Sequence, residues 1–313
     1  MIDFRYHLVS IVSIFLALAV GIVLGAGPLQ EDIGNTLTSE VTRLREDRAA
    51  LRAELDEAQK AGQAKDAFTE ASNKTLLRER LTDTAVSVVV LPDADANLVK
   101  AVTGTLGQAG ATVASTVTLR DEWLDPEKET FRTTLGEQLA PSVGVPVEQT
   151  EGQLVDEVLA RSLLAKAGGA PQGADAALEG LRTGDLIRYT PDDTSPATTA
   201  VVVGGPVTGG TAEERTARAE ALTRLTGALD AAGAGAVLVV SSPNPSDDPQ
   251  VSVVTTARQD SDLAKELSTV DHAESPMGQA SVVFGLLEQA AGNAGQYGLD
   301  ADATAAFPAT AAK

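Results

Sequence analysis

Cysteine is absent from this chain of 313 residues. Its absence excludes disulfides, thiol nucleophiles and thiolate metal sites, yet leaves export open, because an exported domain of this size needs no covalent staples. Histidine is scarce too, limited to His7 and His272, and the thioethers are Met1 and Met277 alone. Positive charge is in short supply, since 24 Lys and Arg face 44 Asp and Glu for a formal net charge of -20. Such a surface repels nucleic acid and anionic lipid headgroups alike, so it favours solubility or a basic partner, and no nucleic-acid role is expected. Long apolar runs are lacking everywhere but near the start. "VSVVVL" (86–91) and "AVLVVS" (236–241) have only the length of strands.

The one long run extends from Leu8 to Ala26. Its roughly 19 uncharged residues, at about 1.5 Å each, match a hydrocarbon core of about 30 Å. Gly25, Ala26 and Gly27 are small enough for a signal-peptidase site, but a cleavable signal has an apolar region of only about 7 to 15 residues, so an uncleaved anchor over 8–28 is expected. The free amino terminus and Arg5, against Asp3, precede the run, and Glu31 and Asp32 follow it. That bias leaves residues 1–7 in the cytoplasm and exports everything after the anchor. His7, beside Arg5 and Tyr6, reads as an interfacial anchor. Ala17, Gly21 and Gly25 lie four residues apart and form a small face of the GxxxG kind, on which two membrane helices can approach closely.

From Leu37 the apolar residues keep a heptad. Leu37, Leu44, Leu51 and Ala58 take d, and Val41, Arg48 and Leu55 take a, with Arg48 weakening the seam while helping to fix its register. The flanks agree with a parallel, in-register pair, because Glu40 and Asp47 at g meet Arg45 and Arg52 at e across the seam. Residues 29–62 are therefore expected as a parallel homodimeric coiled coil, fading at Gly62 into a helical connector over 63–84.

Beyond residue 84 short β-branched runs alternate with amphipathic helices. "VSVVVL" leads to a helix with Leu98, Val102, Leu106 and Ala109 on one face and then to "ATVAST" (111–116). "TTAVVVGG" (198–205) leads to a helix with Leu222, Leu225 and Leu229 aligned and then to "AVLVVS". This rhythm predicts an α/β ectodomain over 85–298 with a mainly parallel sheet. Thr211 and Glu214 stand in capping-box relation at a helix start, Pro276 opens a last helix to about Ala291, and 299–313 is expected as a disordered tail.

Chemistry-bearing motifs are few in this domain. "GGPVTGGT" follows a strand and precedes a helix, but it lacks the Lys of a P-loop and the spacing of a dinucleotide fingerprint, so a plain turn is expected. Asp192/Asp193 and Asp247/Asp248 lack EF-hand spacing and read as solvated turns. His272 reads as a surface-loop histidine. No catalytic constellation stands out, and neither an enzyme nor a bound cofactor is expected.

The chain resembles the actinobacterial MctB-like family, named for copper transport in the cell envelope. The resemblance rests on "RYHLVSIVSIFLALAVGIVLGAGPL", the heptad segment, "VVVLPDAD" with its helix, and "ELSTVDHAESPMGQASVVFGLLEQAAGNAGQYG". It implies an exported, membrane-attached protein linked to copper export or to an outer-membrane pore, and it suits anchored coiled-coil proteins of cell division and wall hydrolysis. Cu(I) prefers sulfur and Cu(II) imidazole, and the two Met and two His are divided between the anchor and the far end of the ectodomain, so no copper site within one subunit is expected. Nor do the α/β patterns supply the strictly alternating segments of an outer-membrane barrel. Two expectations result. One is a non-enzymatic dimeric scaffold at the cytoplasmic membrane that presents its head to an envelope partner, a wall hydrolase or division component, and the other is a role in copper efflux.

Overall fold

In the computed structural model the described residues are 4–25, 29–147, 154–166, 169, 171–190, 195–243 and 250–309. The side chains of 24 and 29–37, with Leu37 of the expected seam, lie outside the described set, as do Asp192, Asp193, Asp247 and Asp248. The chain divides into two units, residues 1–65 and 66–313.

The first unit consists of helix. Helix α1 (Phe4–Gly25) has no proline and no charge after Arg5, and Phe4–Val23 has a mean hydropathy of 2.3. Among the described residues it is the one helix long and apolar enough to cross a membrane, and its described side chains are all exposed. Helix α2 (Leu29–Leu76) runs unbroken for 48 residues and continues into the second unit. A heptad segment fading at Gly62 into a helical connector was expected, and one helix carries both, ending at Leu76. Gly62 costs only about 1 kcal/mol relative to Ala, and the Ala, Gln and Lys residues around it are strong helix formers. The helix stops where Leu77 and Leu81 turn into the core, and near its end the Asn73 side-chain amide donates to the Pro276 carbonyl at 2.7 Å.

The second unit is built on strands β1 (Ala85–Val90), β2 (Thr112–Leu119), β3 (Ile187–Arg188), β4 (Thr199–Val203), β6 (Ala236–Val239), β8 (Ser268–Val270) and β9 (Gln296–Tyr297), in the spatial order β3-β2-β1-β4-β6-β8-β9. All neighbours are parallel except β2 and β3. A separate antiparallel pair joins β5 (Pro206–Val207) to β7 (Val251–Ser252). The strands bury both faces. Val86, Val88, Val201, Val203, Val237 and Val239 point to one core with α3 (Ala96–Gln108) and α10 (Pro276–Ala290), while Val89, Ala200, Val202 and Leu238 point to the other. The second core is closed by α4 (Glu129–Leu139), α5 (Leu154–Leu163), α6 (Ala174–Thr183), α7 (Ala212–Ala232) and α8 (Val253–Gln259), with a short α9 (Leu263–Glu266) before β8. Apolar side chains on both faces explain the near-continuous β-branched runs that marked these strands in the sequence, and each buried Val or Leu contributes about 1.5–3 kcal/mol.

Strand order reverses between β1 and β4, which makes their carboxyl ends the switch point where ligands of such sheets bind. Here two loops close on each other. A Cβ on Gly205 would sit 2.1 Å from the Asp93 carbonyl oxygen, and Gly209 and Gly210 have φ of +70° and +69°. The glycines of "GGPVTGGT" are thus accounted for by close backbone approach and left-handed conformation. The following helix start has both capping-box bonds, Glu214 N–H to Thr211 Oγ1 at 3.2 Å and Thr211 N–H to Glu214 Oε2 at 2.7 Å.

The end of the chain departs from expectation. Residues 299–309, assigned to a disordered tail, are tied to the sheet: Tyr297 bridges Ala305, Thr304 N–H donates to the Gln296 carbonyl at 2.8 Å, and Asp302 pairs with Arg258.

Candidate functional site

The carboxyl edge of the sheet gathers the ionisable groups. Strand β8 delivers Asp271 and His272 immediately past Val270, and neighbouring β9 delivers Gly298, Leu299 and Asp300 past Tyr297. Parallel pairing of two short strands brings residues about thirty apart in sequence side by side. Gly298, at φ +138°, passes so close to the Asp271 carboxyl group that a Cβ would lie 2.1 Å from Oδ1. No other residue fits there. The next two amides then donate to Asp271 Oδ1, Leu299 at 2.6 Å and Asp300 at 3.2 Å.

Arg258, on the last turn of α8, fixes the other side of the carboxylate. Its side chain is 2% exposed and its Nη1 lies 2.8 Å from Asp271 Oδ2. Nε donates to Thr269 Oγ1 at 2.9 Å and Nη2 to the Tyr297 carbonyl at 2.8 Å, so one guanidinium ties β8, β9 and the terminal segment together. Burial pushes the Asp271 carboxyl upward, but the Leu299 amide, His272 and Arg258 outweigh it and hold it below the usual carboxylate range. For Asp300, burial and the Asp271 charge act in the same direction and raise it.

His272 sits at φ +51°, in the left-handed region where non-glycine residues are uncommon and backbone strain accompanies function. Its carbonyl accepts from Ser275 Oγ at 2.8 Å, and α10 approaches so closely that a Cβ on Gly278 would meet that oxygen at 2.2 Å. The ring turns back to the carboxylates, with Nδ1 2.7 Å from Asp271 Oδ1 and 3.8 Å from Asp300 Oδ1. Far from being a surface-loop residue, His272 has a 24% exposed side chain packed against a wholly buried carboxylate. Asp271, His272 and Asp300 form the one group of three such side chains close enough to share a metal ion among the described residues, their donor atoms all within 4.8 Å.

Two crevices open along the same edge. One of about 390 Å³ lies among Gly205, Ser241, Ser242, Thr255, Thr256 and Asp300, and one of about 680 Å³ among Asp93, Trp123, Arg132, Glu214 and Arg218. Between α5 and α7, burial raises the Asp156 carboxyl to about 7 against the pull of Arg224 and a hydrogen bond from Trp123.

The residues singled out from periodicity lie elsewhere, in the first unit. A Cβ at Gly21 or Gly25 meets nothing within 4 Å, and Ala17 is likewise exposed, so the small face of α1 is open in the single chain. Val41, Leu44, Leu51 and Leu55 are exposed on α2, Leu44 by 61% and Leu51 by 66%, with Arg48 and Ala58 exposed beside them. Of the four charges assigned to cross-seam pairs, Glu40 pairs within its own helix with Arg43 at 3.4 Å, and Arg45, Asp47 and Arg52 are exposed.

A family model described as "Copper transport outer membrane protein, MctB" matches residues 1–308. The chain belongs to the MctB family. Relatives named "Copper transporter MctB" in Mycobacterium tuberculosis and Mycobacterium bovis are each 30% identical, with 95% of this chain and 96% of the relative covered. The one in Mycobacterium leprae is 29% identical, with 97% and 98% covered.

The expectation of no copper site in one subunit weighed only sulfur and imidazole, whereas the fold sets two carboxylates beside His272. A nitrogen and oxygen donor set suits Cu(II) and gives Cu(I) none of the sulfur it prefers. The sequence signal was the pair "DH" directly after the short strand "STV", at the strand end where α/β sheets place their sites. Asp300 had no signal, since only the pairing of β8 with β9 brings it in.

Proposed function

We propose that this chain serves copper transport in the cell envelope as a non-enzymatic, membrane-anchored homodimer. In this reading α1 is an uncleaved anchor with its N-terminus in the cytoplasm, α2 pairs two copies through its exposed seam, and the head faces the exported side. The match of residues 1–308 to a copper transport family supports the copper role. In this reading the head acts on the ion as an accessory, by capture and hand-over, and a basic envelope protein would suit the net charge of -20. Removing the gene should raise copper sensitivity, and restoring the full chain, but not residues 31–313 alone, should reverse it. Normal copper tolerance in the deletion strain overturns this reading.

A second reading, an anchored scaffold for a wall hydrolase or division component, draws on the exposed apolar stripe Val41, Leu44, Leu51 and Leu55. A cell-separation defect with unchanged copper tolerance would favour it.

A further inference from the structure

We propose that Asp271, His272 and Asp300 form a binding site for a single Cu(II) ion, through His272 Nδ1 and one oxygen from each carboxylate. The proposal rests on the copper reading above for the choice of metal, and on geometry for the site. With metal–ligand bonds of about 2.0 Å, donors at right angles lie about 2.8 Å apart and opposed donors about 4.0 Å apart. The observed separations are 2.7 Å from Nδ1 to Asp271 Oδ1 and 3.8 Å from Nδ1 to Asp300 Oδ1. Both separations lie within the span of one ion with such bonds, and nitrogen with oxygen is a donor set that Cu(II) takes in tetragonal sites.

Charge points the same way. Asp271, Asp300 and Asp302 set three carboxylates against the one guanidinium of Arg258, an excess of two negative charges before the imidazole is counted. A dication neutralises that excess. The supports of a metal ligand are also in place: Arg258 at Oδ2 and the Leu299 amide at Oδ1 orient the Asp271 carboxylate, as outer hydrogen bonds orient ligating carboxylates in metalloproteins. Nδ1 binds the ion through its free lone pair, so a proton held between Nδ1 and Asp271 Oδ1 leaves that position on binding. Three donors and partial exposure of His272 and Asp300 leave coordination positions for water or for a receiving protein, which suits an ion held in passing.

The test uses the full-length chain in detergent micelles, titrated with Cu(II) against a competing chelator and followed by electron paramagnetic resonance. A His7→Ala background removes the other histidine. We expect one equivalent bound with the signature of a tetragonal ion carrying a single nitrogen ligand. His272→Asn, chosen because Asn tolerates a left-handed backbone, should lower affinity by about 100-fold, and Asp300→Asn by about tenfold. If His272→Asn fails to fold by circular dichroism, Asp300→Asn and the nitrogen count of the parent spectrum decide. Binding unchanged in Asp300→Asn, no bound equivalent in the parent, or two or more nitrogens in its spectrum would each overturn the site. Cu(I) under reducing conditions should show no matching equivalent, and tight Cu(I) binding lost in His272→Asn would overturn the choice of oxidation state. A chain that binds Cu(II) in a deletion strain of normal copper tolerance retains the site and loses the transport role. A copper-sensitive deletion strain whose protein binds no Cu(II) does the reverse.

Discussion

Residues 1–65 and residues 66–313 turn apolar periodicity to opposite ends. In the first unit the periodic side chains of α1 and α2 are exposed, so the pattern describes surfaces that await lipid or a second helix. In the second the same kinds of residue disappear into two cores on either side of one sheet. An apolar residue in the first unit therefore contributes little to the single chain and, in the proposed dimer, acts on assembly, while one in the second unit acts on the stability of the head.

The strongest way to sharpen that contrast is to unpair a buried charge. Arg258→Met leaves the carboxylate of Asp271 without its cation, and loss of one partner of a buried pair costs about 3–5 kcal/mol, read as a lower melting temperature of the full chain in detergent. Arg52→Met, on the exposed surface of α2, should move the same transition by no more than about 0.5 kcal/mol.

Next in size come the apolar truncations. Leu106→Ala in the α3 core should cost about 2–5 kcal/mol, whereas Leu51→Ala should leave head stability within about 0.5 kcal/mol and act on self-association. Equal effects on head melting would erase the contrast between the two units.

The pH dependence isolates the head further. Asp156 is raised to about 7, above its value in the unfolded chain, so the folded state holds the extra proton between the two values. Stability should thus fall as pH rises from about 4 to about 7. Asp271 is shifted the opposite way and loses its contribution as pH falls below the usual carboxylate range. Melting temperature should peak at mildly acidic pH, and Asp156→Asn should flatten its decline towards pH 8. A decline of unchanged slope in that variant would remove Asp156 as the cause.

The smallest effects concern the seam. A cysteine replacing Leu44 or Leu51 should cross-link two copies on oxidation in membranes, because d side chains of a parallel pair face their own copies. Cross-linking from Thr42 or Ala49 instead would overturn the heptad register. Arg45→Glu with Arg52→Glu should weaken the dimer, each exposed pair carrying only about 0.2–1 kcal/mol, and Gly21→Leu with Gly25→Leu should weaken it further by holding the anchors apart.

Much of the fold was legible because its signals are local. The strands at 86–91, 198–205 and 236–241, the helix face of Leu98, Val102 and Leu106, the start at Thr211 and the helix from Pro276 need only neighbouring residues to declare themselves. What escaped was short or non-local. Two or three residues, as in β3, β8 and β9, are too few to show a period. Residues 299–309 are held by partners such as Gln296 and Arg258 that composition does not reveal.

By itself, then, the sequence determined an apolar helix of membrane length, a heptad stripe behind it, an α/β succession and a chemistry without thiolate ligands, since each depends on residue type and spacing along the chain. Only the tertiary structure decided which strand ends adjoin. Pairing β8 with β9 placed Asp300 opposite His272, and packing α8 beneath them buried Arg258 against Asp271. Those contacts depend on hydrogen bonding and burial between segments far apart in the chain, which local periodicity does not encode.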